Sequence, residues 1–216
     1  MTRKRLALIA FVVFDLSLLA LVVGLFVARA QLTGDESFSE PGVASFEEPF
    51  VLQDFRLTDQ HGQIFTRENL LGRWQFVFFG FTSCPDVCPF AMQALESFYR
   101  EVVETGLGDE TGVIMVSVDP LRDTPDVMAD FVESFHPDFI GLTGEYPQIA
   151  GLAGQLFIAF AGPQEHGGSH GGDGDYQVPH SDYIAVIDPA GNYRGLIHAP
   201  HNRQRLIQAY QAFRAQ

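Results

Sequence analysis

The chain is poor in cysteine and almost without lysine: its 216 residues include 2 Cys, one Trp and a single lysine, Lys4. Two cysteines cannot build a disulfide-dense scaffold or a four-cysteine zinc site. Basic residues are few overall, 13 Lys+Arg against 27 Asp+Glu for a net charge of -14. That balance excludes a nucleic-acid binder, which needs a basic footprint. The charge is also uneven. Residues 1–30 hold Arg3, Lys4, Arg5 and Arg29 against Asp15, or +3, so residues 31–216 carry -17 (-14 less +3). The folded part therefore repels anionic surfaces and favours cations or basic partner proteins. With 46% hydrophobic residues the chain is not a disordered polymer, and its length suits one domain plus an appendage.

Long apolar runs are absent except for one. Leu6 to Ala28, LALIAFVVFDLSLLALVVGLFVA, is broken only by Asp15. At about 1.5 Å per residue it makes a helix of roughly 34 Å, enough to cross a hydrocarbon core of about 30 Å. Arg3, Lys4 and Arg5 keep the start in the cytoplasm and send the chain beyond Arg29 outside. A cleaved signal peptide is the rival reading, because Ala28-Arg29-Ala30 has the small-x-small shape. Its apolar region should be only about 7–15 residues, so residues 1–30 read as a retained anchor. Asp15 costs about 2.5–3.5 kcal/mol at that depth and is either tolerated or a contact to another membrane helix.

Residues 31–49 are acidic, rich in small residues and aperiodic, and read as a tether. From Phe50 the pattern is regular. Phe50–Leu57 and Gln63–Thr66 flank a turn as a hairpin, and Trp74–Phe81 is apolar enough for a strand buried on both faces. Next come a helix from about Pro89 to Glu104, a buried strand Gly112–Val118, a helix near Thr124–Phe135, a short strand in FIGLTG and a helix over Tyr146–Leu156. Ile184–Asp188 and Asn192–Ile197 form a terminal hairpin, and Arg203–Arg214 a last helix. Strands alternating with helices predict an α/β fold with a mixed central sheet flanked by helices over 50–216. Ala161–Tyr176, AGPQEHGGSHGGDGDY, stands apart as a Gly/His-rich flexible loop.

Where the strand Trp74–Phe81 hands over to a helix, the chain reads Cys84-Pro85-Asp86-Val87-Cys88-Pro89. Sites in α/β sheets favour this position, outside a strand's carboxyl end. If the turn is helical, cysteines four apart share one face. Three chemistries compete. A structural disulfide would close a very short loop and stabilise little. Dithiol–disulfide exchange resembles thioredoxin chemistry with one more intervening residue. Two thiolates plus an imidazole would make a soft three-coordinate site suited to Cu(I). Spacing alone does not choose the imidazole among His61, His136, His166, His170, His180, His198 and His201.

Three blocks in order, FVFFGFTSCPDVCPF, VSVDPLRDTPDVMADF and YQVPHSDYIAVIDPAGNYRG, resemble the Sco/SenC family of membrane-tethered copper proteins over roughly residues 50–216. The resemblance implies a thioredoxin-like fold and a copper site of Cys84, Cys88 and His180, with Cu(I) as cargo and Cu(II) left open. It also implies delivery of copper, received from an upstream donor, to the cytochrome c oxidase subunit carrying the CuA site. The alternative is a thiol-disulfide oxidoreductase that keeps the acceptor's copper-ligand cysteines reduced, with Cys84 and Cys88 as the redox pair. A copper sensor or scaffold is a third class. The anchor then lies in a bacterial-type inner membrane, single-pass, with the domain in the periplasm. Two features depart from the family. Pro179 stands where an acid often precedes the histidine, and the Gly/His loop looks inserted. In it, His166 and His170 are either auxiliary copper-capture groups or, preferred, part of a solvated spacer. Asp119 and Asp123 read as turn and N-cap residues, with an outer-shell or docking role as the alternative. Asp86 reads as exposed between the cysteines, and Phe81 and Phe90 as packing around the site.

A retained anchor predicts that full-length protein extracted from membranes keeps its N-terminus upstream of Leu6. Recovery only of chains starting at Gln31 by N-terminal mass spectrometry would mean cleavage after Ala30.

Overall fold

The structure, a computed structural model, describes residues 16–19, 42–161 and 180–216. Leu16–Leu19 are helical and belong to a unit separate from the main domain. The rest of the expected span Leu6–Ala28, Asp15 included, lies outside the described residues, among which no helix is long and apolar enough to cross a membrane.

In the domain, eight strands form one mixed sheet: β1 (Val43–Val51), β2 (Arg56–Asp59), β3 (Ile64–Thr66), β4 (Trp74–Gly80), β5 (Thr111–Ser117), β6 (Ile140–Thr143), β7 (Ile184–Ile187) and β8 (Asn192–Ile197). Their order across the sheet is β1-β8-β7-β4-β5-β6-β2-β3. Strand β5 runs parallel to β4 and β6, and the other pairings are antiparallel. The central strands are apolar on both sides: all of β4 after Trp74 and all of β5 are buried. Alternation then sorts them between two layers. Phe76 packs on Phe98 of helix α1 (Val87–Glu104) and on Tyr210 of helix α4 (Arg203–Arg214), at centroid distances of 4.5 and 5.6 Å. Helix α2 (Pro125–Glu133) lies on that face too, its Met128 and Val132 against Gly141 of β6. On the other face Val77 joins Ile114, Val116 and Ile187 around Leu152 and Leu156, at helix α3 (Tyr146–Gln155).

Helix α1 shows why the layers close. It buries Cys88, Ala91, Met92, Leu95, Phe98, Tyr99 and Val102, a stripe recurring at three and four residues. This is the expected α/β arrangement, and the turn at Gly62 (φ +77) and the terminal hairpin fall where anticipated. Two boundaries differ. The expected hairpin strand Phe50–Leu57 is divided, with Phe50 and Val51 ending β1 and the hairpin using Arg56–Asp59. The segment read as tether to residue 49 is strand from Val43, and it pairs with the edge of β8. Only Val43, Ala44 and Ser45 are buried before the register shifts, so half a strand of acidic residues and proline hid the pairing. The pairing itself needs glycine at 195, because a Cβ there would stand 2.1 Å from the Ala44 carbonyl oxygen.

Gly195→Ala should therefore lower unfolding stability by about 1–3 kcal/mol, the usual cost of overpacking. Gly151→Ala, in α3 with nothing within 4 Å of its Cβ, should be neutral or stabilising by up to about 1 kcal/mol. Urea denaturation of both variants checks the contrast; equal midpoints would contradict it.

Candidate metal and thiol site

The site sits where β4 ends. Cys84 is not in the helix: its amide closes a turn onto the Phe81 carbonyl at 3.2 Å, and α1 begins at Val87. The two sulfurs are therefore not arranged as one helical face. They meet differently. Cys88 is the second helical residue, and its otherwise unpaired amide donates to Cys84 Sγ at 3.5 Å. Both cysteines are free thiols, Cys84 partly exposed and Cys88 fully buried. A Cβ on Gly80 would lie 2.9 Å from Cys88 Sγ and 2.8 Å from Phe78 Cε1. The glycine that ends the apolar strand thus provides the space the sulfur occupies.

His180 arrives from the other side of the sheet order. It forms an isolated antiparallel bridge with Phe160, and the Ser181 amide donates to the Ala159 carbonyl at 2.8 Å. Its ring lies edge-on to Phe78 and Phe81, each at 6.0 Å. Nδ1 is 2.9 Å from the Ser181 carbonyl, and Nε2 is 3.6 Å from Cys88 Sγ. In the neutral ring Nδ1–H donates to that carbonyl, which leaves the Nε2 lone pair facing the thiol. Burial pushes the Cys88 thiol well above its ordinary range, so its S–H is the donor to Nε2. Cys84 joins this pair through the Cys88 amide. Among the described residues no three His, Cys, Asp or Glu side chains enclose a metal-sized space, so the three groups are gathered pairwise.

The remaining candidates separate. His198 packs on Tyr183, His201 donates to the Asp182 carbonyl at 2.6 Å, and His136 accepts from the Asp138 amide, so these have structural work. His166 and His170, like Pro179, lie outside the described residues. Asp86 is exposed and precedes α1 without a side-chain cap bond. Phe81 is buried, but Phe90 is 66% exposed and does not cover the site. The N-cap of α2 is Thr124, whose Oγ1 accepts from Val127 N, and Asp123 turns inward instead. Buried Asp123 accepts from Thr82 Oγ1 and Ser117 Oγ, each at 2.6 Å, and from the Thr82 amide at 3.2 Å. Burial raises its pKa, with these bonds opposing. Asp119 is buried beside Arg122, with which it forms an ion pair, and the Arg122 guanidinium lies 5.7 Å from the Phe81 ring centroid. Asp119 also turns the chain, its carbonyl accepting from the amides of Arg122 and Asp123. The sequence reading missed Gly80, Thr82 and Ser117 here. A glycine closing a strand and a serine inside GVIMVS were the available signals.

A thioredoxin-like α/β fold with two thiols and one imidazole at the end of its central strand defines the class. Residues 44–214 match the SCO1/SenC family model, and the chain belongs to that family. It is 37% identical over 143 residues to the mitochondrial protein SCO2 of Saccharomyces cerevisiae, spanning 64% of this chain and 44% of that protein. The chain thus aligns with less than half of the yeast protein's length. The crystal structure of yeast Sco1 with copper bound superposes with a TM-score of 0.68 at 26% identity, covering 78% of this chain and 91% of that one. Arabidopsis thaliana ScoI with copper bound gives a TM-score of 0.66 at 28% identity, covering 76% and 97%.

The geometry predicts an ordered alkylation. Near neutral pH iodoacetamide should modify Cys84 well before Cys88, because Cys88 is buried and stays protonated. Linkage has a fixed sign: the unfolded chain releases the Cys88 proton at the ordinary thiol pKa of about 8.5, while the folded chain holds it. Stability of the metal-free, reduced form should therefore fall as pH rises above that value. A Cys88→Ala variant should lose this slope, and equal slopes would contradict the assignment.

Proposed function

We propose that the protein is a membrane-tethered copper chaperone whose Cys84, Cys88 and His180 hold Cu(I) as cargo for the CuA site of a cytochrome c oxidase subunit. The observation that carries this reading is the 3.6 Å approach of His180 Nε2 to Cys88 Sγ, with Nδ1 already engaged by a carbonyl. Two sulfurs and one imidazole form a soft donor set that suits Cu(I) better than zinc, which prefers a fourth ligand. The copper held by yeast and Arabidopsis relatives supports the same cargo. Loading displaces a proton from each thiol, so affinity falls as pH drops. A partner thiolate entering the open coordination shell takes the ion by stepwise ligand exchange, without free release. In this scheme an upstream donor fills the site. Residues 1–30 anchor the domain on the periplasmic side of a bacterial inner membrane, and the domain itself is engaged from Gly42, whose carbonyl accepts from the His198 amide.

Asp123, Asp119 and Asp86 take different parts. Asp123 fixes Thr82 and Ser117 beside the cysteine loop, Asp119 holds Arg122 against Phe81, and Asp86 lends negative potential at the surface. The Gly/His loop acts as a solvated spacer. Capture through His166 and His170 is the competing role, and copper titration of the double alanine variant separates the two.

The second reading is thiol-disulfide exchange, favoured by the asymmetry of a partly exposed Cys84 and a buried Cys88. Cys84 thiolate attacks the acceptor's disulfide and releases one acceptor thiol. Cys88 then attacks Cys84 Sγ in the mixed disulfide and releases the second, so two electrons and two protons pass from the pair to the acceptor as the Cys84–Cys88 disulfide forms. His180→Ala separates the readings. Copper affinity should fall by more than the about 10–100-fold that outer-shell partners carry, with both thiols still titratable. Unchanged copper affinity would sink the chaperone assignment.

A further inference from the structure

Three large apolar side chains stand in water at the thiol end of the domain. Val87 is 48% exposed, Phe90 66% and Leu121 76%. Val87 and Phe90 are three apart in the first turn of α1 and share its outer side, away from the stripe that buries Cys88, Ala91 and Met92. Leu121 belongs to the loop whose Arg122 lies over Phe81 and whose Asp123 holds Thr82, the residues leading into Cys84. Because Cys88 is sealed and Cys84 is partly open, an outside sulfur reaches the pair by way of Cys84, which lies between the Thr82 segment braced by the Leu121 loop and the helical turn carrying Val87 and Phe90. Asp86 stands exposed in the same turn, in a chain whose residues 31–216 sum to a net charge of -17.

We propose that Val87, Phe90 and Leu121 are the docking rim for the thiol-bearing partner. That partner presents an apolar patch around its own cysteines and Lys or Arg opposite Asp86. The assignment rests on the reading of Cys84 and Cys88 as an exchange site, which copper delivery and thiol reduction share. Apolar side chains that exclude water around one exchanging sulfur give affinity, and the charge complement gives rate and orientation. An anionic membrane surface fits poorly, since the acidic domain repels it.

The test uses the full chain in detergent micelles, with the reduced, copper-free CuA-bearing domain of a cytochrome c oxidase subunit as the probe. Phe90→Ser with Leu121→Ser should raise the dissociation constant at least about tenfold, as for truncated interface anchors. Copper affinity should not move, and association should weaken as salt rises. Val103→Ser, an exposed apolar residue at the far end of α1, should leave association unaltered. Four results would overturn the assignment: no association by the wild type, equal association by the double variant, a dimer that the double variant abolishes, or protection of residues 87–90 from hydrogen exchange on transfer to anionic nanodiscs without the probe. Association retained by the wild type with no copper transferred would instead count against delivery alone and leave the rim supported.

Discussion

The placement of one sulfur governs the rest of the site. Cys88 Sγ occupies the space above Gly80 where any other residue would put a Cβ, and only there does it face His180 Nε2. Phe78 and Phe81 complete the enclosure, and both also set the plane of the imidazole. The strand's last residue, the helix's second residue and a histidine 92 positions away from it are thereby fixed against each other. Neither the helix start nor the strand end alone would hold this geometry. The bridge between Phe160 and His180 supplies the remaining restraint by tying the histidine's backbone to the end of the preceding segment.

Burial gives the two thiols unequal chemistry. Cys88 has little solvent to stabilise a negative charge, and buried Asp123 nearby adds a small repulsion. In the proposed copper reading, a cation between the sulfurs and the ring would supply the compensation that water cannot. The same low polarity keeps Asp123 and Asp119 committed to local partners. Asp123 satisfies two hydroxyls and an amide, and Asp119 an arginine. Their contribution is to hold the walls of the site, while Cys84 keeps its partly exposed side.

Much of this is legible in the chain itself. Buried strands without alternation, the Thr-Pro helix start at 124–125 and the terminal hairpin all lie where periodicity and turn chemistry put them. The exceptions have physical causes. Strand β1 is hidden because it is an edge strand with only three residues buried before its register shifts. Spacing allows both sulfurs one face only if the turn is helical, and it cannot tell a first helical turn from the tight turn before it. Phe90 reads as packing around the site, yet its position in α1 points it away from the stripe that includes Cys88. Asp123 resembles a helix cap by neighbourhood, and only the third dimension reveals Thr82 and Ser117 beside it. The choice of His180 among seven histidines comes from family resemblance, since no pattern in the sequence distinguishes it.

The most direct measurement is copper K-edge X-ray absorption of the Cu(I)-loaded full-length protein. Convergence of the pair and the ring on one ion predicts two sulfur scatterers and one imidazole nitrogen at a single three-coordinate copper. A first shell of sulfur alone, or an ion bound only by nitrogen and oxygen, would contradict it.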